Sequence, residues 1–304
     1  MKYRLLGRTK LEVSVVGLGT WQFGGEWGER FSAAEVERIL RRGRELGINL
    51  LDTAECYGDH LSESLIGEAI QGTRDEWIVA TKFGHHFNAP FDRTDRWSVN
   101  AVQQQLEDSL RALDTDYIDL YQFHSGDNQA FDQPKLWEML NRQVDAGKIR
   151  FLGISLGNND NLYQTEQATE VGADVIQVVY NRLDRTAEER VFPSCRAQNL
   201  GVLTRVPLAS GLLSGKYRPG HQFTDPEDVR SQRDPREIQE QLQRVQAIRR
   251  EQVPQHIEMA SWALAWCLQH PAVTCVIPGC KSVEQVESNA RAASLALVRE
   301  DHPQ

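Results

Sequence analysis

A (β/α)8 barrel is the fold class this sequence predicts, on three observations. Apolar strand-like runs alternate with amphipathic helical patterns, no linker-like change of composition divides the chain, and chemistry-bearing side chains end three successive strand candidates. At 304 residues the chain is long for one compact domain but usual for a single α/β barrel. A doubly wound open sheet is the competitor, but only a barrel makes the ends of successive parallel strands converge on one mouth.

The N-terminal elements are Tyr3 to Leu6 and Glu12 to Val16, joined through Gly7-Arg8-Thr9-Lys10, a short β-hairpin able to close one end of the barrel. Val15 to Gly19 begins the alternation. Helical periodicity at Ala33 to Leu46, Leu61 to Ile70, Val99 to Ala112 and Pro134 to Ala146 then separates strand candidates at Ile48 to Leu51, Trp77 to Thr81, Tyr117 to Phe123 and Ile149 to Ile154. A weaker helix at Asn161 to Glu170 leads to a strand at Val175 to Val179, a helix at Glu188 to Ala197 and a strand at Gly201 to Val206. Ser210 to Pro235 breaks the rhythm: rich in Gly, Pro and charge, and long for a structureless connection, it reads as a binding loop or lid. Helices at Arg236 to Arg250 and His256 to Leu268 follow, the second carrying Trp262 and Trp266 on one core-facing stripe. An eighth strand at Val273 to Ile277 and a helix from Val283 to Leu297 complete the pattern. The expected architecture is a TIM barrel over residues 1–304 as one domain, with an N-terminal β-hairpin and with extra helices and long loops near the C-terminus.

Composition narrows the partners. A formal net charge of −9 argues against nucleic acid or an anionic membrane surface, and no apolar run reaches membrane-spanning length. The 5 cysteines are dispersed, with neither Cys-x-x-Cys spacing nor a zinc-like grouping with His, so the expectation is free thiols, no metal and a cytoplasmic setting. No oligomeric state follows from the sequence.

The chemistry gathers at strand ends. Leu50-Leu51-Asp52-Thr53-Ala54-Glu55-Cys56-Tyr57-Gly58 reads as a buried strand running into a loop that carries a carboxylate and a phenol. The strand candidate beginning at Trp77 leads to Lys82, and the one beginning at Tyr117 leads to His124. In a barrel, Asp52, Tyr57, Lys82 and His124 share the mouth. A phenol, ordinarily of pKa about 10, becomes a usable acid when a lysine ammonium favours its phenolate, and an aspartate keeps that lysine charged. Tyr57 could then protonate a developing alkoxide while His124 holds the carbonyl oxygen. The set lacks a hydride, which only a cofactor supplies.

These residues, in LDTAECYG, ATKFG and LYQFH, resemble the Asp-Tyr-Lys-His tetrad of the aldo-keto reductase superfamily, in its order and at its usual strand ends. The similarity continues in GLGTWQFGG, which contains Gly19, Thr20 and Trp21, and in GIS, IQVVYN, PLASGLLSGKY and IPGCKSVEQVESN. The resemblance implies NADPH or NADP+ extended across the barrel mouth and a small-molecule carbonyl substrate. Carried over by position, Ser155 and Gln177 would hold the nicotinamide carboxamide beside Asp52, and Leu208, Ser210 and Lys216 would lie along the pyrophosphate. Gly279, Lys281 and Ser282 would surround the 2′-phosphate, with Gln285 and Asn289 on the adenine side. Pro207 and Arg230 complete the implied cofactor residues. Lys281, just before a helix start, suits an anion. A Rossmann site is not supported, because Gly17-Leu18-Gly19 is followed by Thr20-Trp21-Gln22 and lacks the third glycine.

Two positions depart from the family's pattern. Leu156 follows Ser155 where many relatives have asparagine, and Arg205 stands where an aromatic residue commonly stacks on the nicotinamide. A planar guanidinium can stack on a ring, yet it sets a positive charge beside one that becomes cationic on oxidation. Cys56, next to Tyr57, reads as small-residue packing. The substrate pocket is expected from Trp21, from loop residues around Phe83 to Phe91 and from parts of Ser210 to Pro235. The leading expectation is an NADPH-dependent reductase of aldehydes and ketones. The alternatives are an NADPH-binding regulatory or sensor protein with slow turnover, as the resemblance to potassium-channel β-subunits implies, and an enzyme acting mainly as an alcohol or sugar dehydrogenase.

Overall fold

Side chains alternate sides along a strand, so the register of a closed sheet decides which residues face its interior. A computed structural model describes residues 1–296. It opens with the expected hairpin, β1 (Tyr3–Leu5) paired antiparallel with β2 (Glu12–Ser14). The barrel strands are β3 (Leu18–Gly19), β4 (Leu50–Asp52) and β5 (Ile78–Phe83), then, after a second hairpin of β6 (His85–Ala89) and β7 (Asp92–Asp95), β8 (Ile118–His124), β9 (Ile149–Ser155), β10 (Ala173–Val179), β11 (Gly201–Arg205) and β12 (Cys275–Val276). All neighbouring barrel strands pair in parallel, in chain order from β3 to β12. Bridges Val16–Val276 and Gly19–Gly279 join the two ends into a barrel. The seam needs glycine: a Cβ on Gly19 would lie 2.8 Å from the carbonyl oxygen of Ile277.

The helices are α1 (Ala33–Glu45), α2 (Leu61–Ala69), α3 (Val99–Ala112), α4 (Asn128–Phe131), α5 (Pro134–Asp145), α6 (Leu162–Glu166), α7 (Val191–Ala197), α8 (Pro235–Gln252), α9 (Met259–Gln269) and α10 (Val283–Arg291). Ser32 and Glu35 form a capping box at the start of α1, and Ser282 caps α10. None of the described helices is long and apolar enough to cross a membrane. All five cysteines are free and buried.

Register sorts the strands into two layers. Outward residues such as Val79, Phe83, Tyr121 and Phe123 pack under the helices. Inward residues Leu50, Ala80, Leu120, Val175 and Leu203 form an apolar plug, closed below by Leu6 and Val13 of the hairpin region. Two residues further along these same strands, the inward positions are Asp52, Lys82, Gln122, Gln177 and Arg205. The period of two therefore sets a polar layer directly on an apolar one, at the carboxyl ends of the strands.

Several expected boundaries shift. The first and eighth barrel strands shrink to two residues each, because their outer parts meet the seam by isolated bridges. The stretch read as loop after Phe83 is the β6–β7 hairpin, and α4 lacked a recognisable pattern. The weak helix shortens to Leu162–Glu166, and the helix expected from His256 begins at Met259. α10 ends at Arg291 and continues as a 3-10 turn over Ala292–Ser294; Leu297 lies outside the described residues. Trp262 and Trp266 are fully buried, as core residues.

Candidate active site

The barrel mouth opens into a cavity of about 870 Å³. β4 delivers Asp52, β5 Lys82 and β8 His124, while Tyr57 comes from the loop after β4. Gly58, at φ +71°, lets that loop turn into α2, and it passes so close to Gly24 that a Cβ on Gly58 would lie 2.7 Å from the Gly24 carbonyl oxygen.

Lys82 is the hub. Its ammonium, 1% exposed, donates to Asp52 Oδ2 (2.9 Å), the Thr53 carbonyl (2.6 Å) and Tyr57 Oη (3.4 Å), which uses its three protons. Asp52 Oδ1 accepts from Gln177 Nε2 (2.6 Å) and Gln122 Nε2 (3.2 Å). Burial works against the lysine's charge, but Asp52 outweighs it and holds the pKa of Lys82 above the ordinary value. The tyrosine differs from expectation. Burial outweighs the pull of Lys82, with Asp52 adding to it, and pushes Tyr57 up to about 12 rather than down. Tyr57 therefore keeps its proton at neutral pH, and Lys82 faces the oxygen on which charge appears when that proton leaves.

His124 packs edge-on against both Tyr57 and His85, with ring centroids at 6.2 and 5.0 Å. Burial, reinforced by the Lys82 charge, lowers its pKa to about 4 against the opposing effect of Glu55, so the ring is neutral near pH 7. Its Nδ1 lies 3.7 Å from Cys56 Sγ and 3.8 Å from Glu55 Oε2. Cys56 is buried, and burial pushes its thiol well above the ordinary cysteine range.

Most of the expected cofactor positions line the same cavity: Gly19, Thr20, Trp21, Asp52, Gln177, Arg205, Pro207, Leu208, Ser210, Lys216, Arg230, Gly279, Lys281, Ser282, Gln285 and Asn289. Ser155 and Lys82 do not reach it. Ser155 is fully buried and donates to Gln177 Oε1 at 3.3 Å. Arg205 Nη2 donates to the Leu156 carbonyl (2.9 Å), which ties together the two positions that depart from the family's pattern. Arg230 is paired with Asp228 at 2.5 Å and donates to Tyr217 Oη at 2.9 Å. Lys281 donates to the Trp27 carbonyl at 2.5 Å, and burial lowers its pKa. Lys216 makes no ion pair among the described residues, so its ammonium is available to an anion.

Other site residues lay beyond the sequence reading. Gln122 was legible in principle, two residues before His124 and so on the same face of β8. Glu26 carried no pattern: fully buried, it accepts from Trp21 Nε1 (2.5 Å), the Phe91 amide (2.8 Å) and Arg93. The pocket wall expected from loop residues around Phe83 to Phe91 is supplied by His85, with Arg93 just beyond that range, while Phe83 points outward into the core.

The cavity also holds buried polar atoms without protein partners, namely Gln22 Oε1, Trp27 Nε1, Arg205 Nε and Asn289 Nδ2. Such atoms are costly unless a ligand or water completes them. Together with Lys216 and Lys281 they fit a large, polar, phosphate-bearing ligand, as a nicotinamide dinucleotide is.

Similar proteins agree with this geometry. The chain is 33% identical over 314 residues to the uncharacterized oxidoreductase YrpG of Bacillus subtilis, covering 99% of this chain and 93% of that one. Among solved structures it superposes on the holo form of aldo-keto reductase AKR11C1 from Bacillus halodurans with a TM-score of 0.82 and 32% identity, over 99% of this chain and 94% of that one. The glycerol dehydrogenase AKR11B4 from Gluconobacter oxydans gives a TM-score of 0.84 at 28% identity, over 98% and 92%. The family model described as Aldo/keto reductase family matches residues 15–304, and the chain belongs to that family.

Proposed function

We propose that the protein is an NADPH-dependent oxidoreductase that reduces aldehydes and ketones, including small or sugar-like carbonyl compounds, to alcohols. The family is one of nicotinamide-dependent oxidoreductases acting on small carbonyl substrates. The observation that carries the finer reading is the Lys82 hub, which touches Asp52 and the phenol of Tyr57 at the mouth of the barrel.

When bound, the dinucleotide supplies the hydride. Tyr57 gives its proton to the oxygen of the reduced carbonyl, and Lys82 stabilises the phenolate that remains. Asp52, fixed by Gln122 and Gln177, keeps Lys82 charged. His124, neutral, binds the carbonyl oxygen and orients it toward Tyr57. Gln177, braced by Ser155, holds the carboxamide. Lys216, Lys281 and Arg230 favour the phosphates, and Lys281 with Ser282 at the start of α10 supports NADPH over NADH.

The test is NADPH consumption with an unhindered aromatic aldehyde, compared between wild type and Tyr57→Phe, with a cofactor titration on each. Turnover is expected to fall by about 10²–10⁴ in the variant while cofactor binding persists. Tight binding with negligible wild-type turnover across several aldehydes and ketones would sink the reductase reading in favour of a sensor. The resemblance to a solved glycerol dehydrogenase favours a second reading, the reverse reaction on a small polyol. Initial rates measured in both directions decide between them, and the protonated state of Tyr57 supports reduction.

A further inference from the structure

Beside the Lys82 network lies a second cluster, which shares only His124 with the proposed carbonyl site. Glu55 is 2% exposed, and its Oε1 accepts the His85 amide at 2.9 Å. Its other oxygen, Oε2, is buried with no hydrogen-bond partner. That oxygen is 3.8 Å from His124 Nδ1, too long for a hydrogen bond, and Nδ1 is 3.7 Å from Cys56 Sγ. The three atoms all lie within 4.8 Å of one another. Carboxylate, imidazole and thiol in one cluster are the donor types that borderline-soft divalent cations select. Zinc bonds of about 2.0–2.3 Å at tetrahedral angles separate ligand atoms by roughly 3.4–3.6 Å. Small side-chain rotations close that difference. Cys56 and His124 both line the cavity, which gives the ion a route in and leaves a fourth position for water.

We propose that Glu55 Oε2, Cys56 Sγ and His124 Nδ1 form a site for zinc or a similar divalent cation, and that metal binding there shuts off the reaction. The inhibitory half rests on the reductase reading, because it acts by withdrawing His124 from the carbonyl oxygen and adding positive charge beside Tyr57. On binding, the ion forms bonds to oxygen, nitrogen and sulfur, the Cys56 S–H bond breaks, and its proton leaves to solvent without any change of oxidation state. Sequence spacing conceals such a site, since the histidine lies 68 positions from the cysteine.

The test uses the purified full chain freed of metal by a chelator. Cobalt(II) titration reports a thiolate ligand by its near-ultraviolet charge-transfer band, and Cys56 is the one cysteine lining the cavity. The expected result is a band that saturates at one equivalent, disappears on adding zinc and is absent in Cys56→Ala. Zinc affinity should fall roughly 100-fold in that variant and less in Glu55→Gln. Zinc should inhibit aldehyde reduction by the wild type and lose potency in Cys56→Ala, each compared with its own metal-free rate. No cobalt–thiolate band, zinc affinity unchanged in Cys56→Ala, or equal inhibition of both proteins would overturn the site. A band without carbonyl reduction by the metal-free wild type would uphold the site and refute the reductase reading instead.

Discussion

Two sets of residues around the cavity are built on different terms. In the first, every polar atom of the Lys82 ammonium and the Asp52 carboxylate has a protein partner, most within 3.2 Å. Elsewhere around the cavity, Gln22, Trp27 and Asn289 each keep a buried polar atom without one, and among the described residues Lys216 makes no ion pair. On the proposed function, the chain wires its proton-transfer groups in advance and leaves its binding groups to be completed by ligand. Preorganisation lowers the cost of reaching the transition state, whereas unfinished hydrogen bonds turn a ligand's arrival into stabilisation.

Substitutions in each set break or sharpen this contrast. Lys82→Met strips the partner from a buried carboxylate, so unfolding without ligand should cost about 3–5 kcal/mol less than in wild type. Chemical denaturation measures that, and an unchanged midpoint would refute the prewired picture. The next effect concerns pH. His124 has a folded pKa of about 4 against 6.5 unfolded, so the unfolded chain binds more protons between those values. Its contribution, on the order of 3 kcal/mol, is present above pH 6.5 and lost as pH falls toward 4. Denaturation at pH 7 and pH 4.5 should show a drop that shrinks in His124→Gln.

Asn289→Ala probes the other set. It removes an unpartnered donor, so stability without ligand should stay within about 0.5 kcal/mol of wild type while cofactor affinity falls roughly tenfold. Calorimetry on both states would expose the reverse pattern if Asn289 were structural. The smallest effect is expected at Arg205, whose guanidinium is proposed to favour the neutral reduced ring over the cationic oxidised one. Arg205→Tyr should reduce the ratio of NADPH to NADP+ affinity a few-fold, to be read from paired fluorescence titrations; an unchanged ratio leaves the residue as a tether to Leu156 alone.

Legibility follows the same division. Asp52, Tyr57, Lys82 and His124 could be read because strand-end position and residue type coincide, and the barrel turns that order into proximity. α1, α2, α3 and α5 were legible because their 3.6-residue periodicity is clear, whereas the four residues of α4 are too few to show one. The β6–β7 hairpin was not, since its exposed, polar strands carry no alternation, and Glu26 was not, since its partners Phe91 and Arg93 lie far from it in the chain. The direction of the Tyr57 shift could not be read either, because it depends on how deeply the phenol is enclosed. That Ser155 lies behind the cavity lining was not legible for a related reason: sequence gives the strand end but not which of two stacked side chains faces the cavity.

The seam between β3 and β12 bears on how the molecule comes into being. Val16 and Gly19 find their partners in Val276 and Gly279, so the earliest barrel strand to leave the ribosome waits for the latest. Until then the growing sheet carries two open edges, the kind of surface on which chains pair wrongly with one another. Closure joins residues far apart in sequence, which makes it a slow, late event and ties completion of the mouth near Gly279 to the arrival of the last barrel strand.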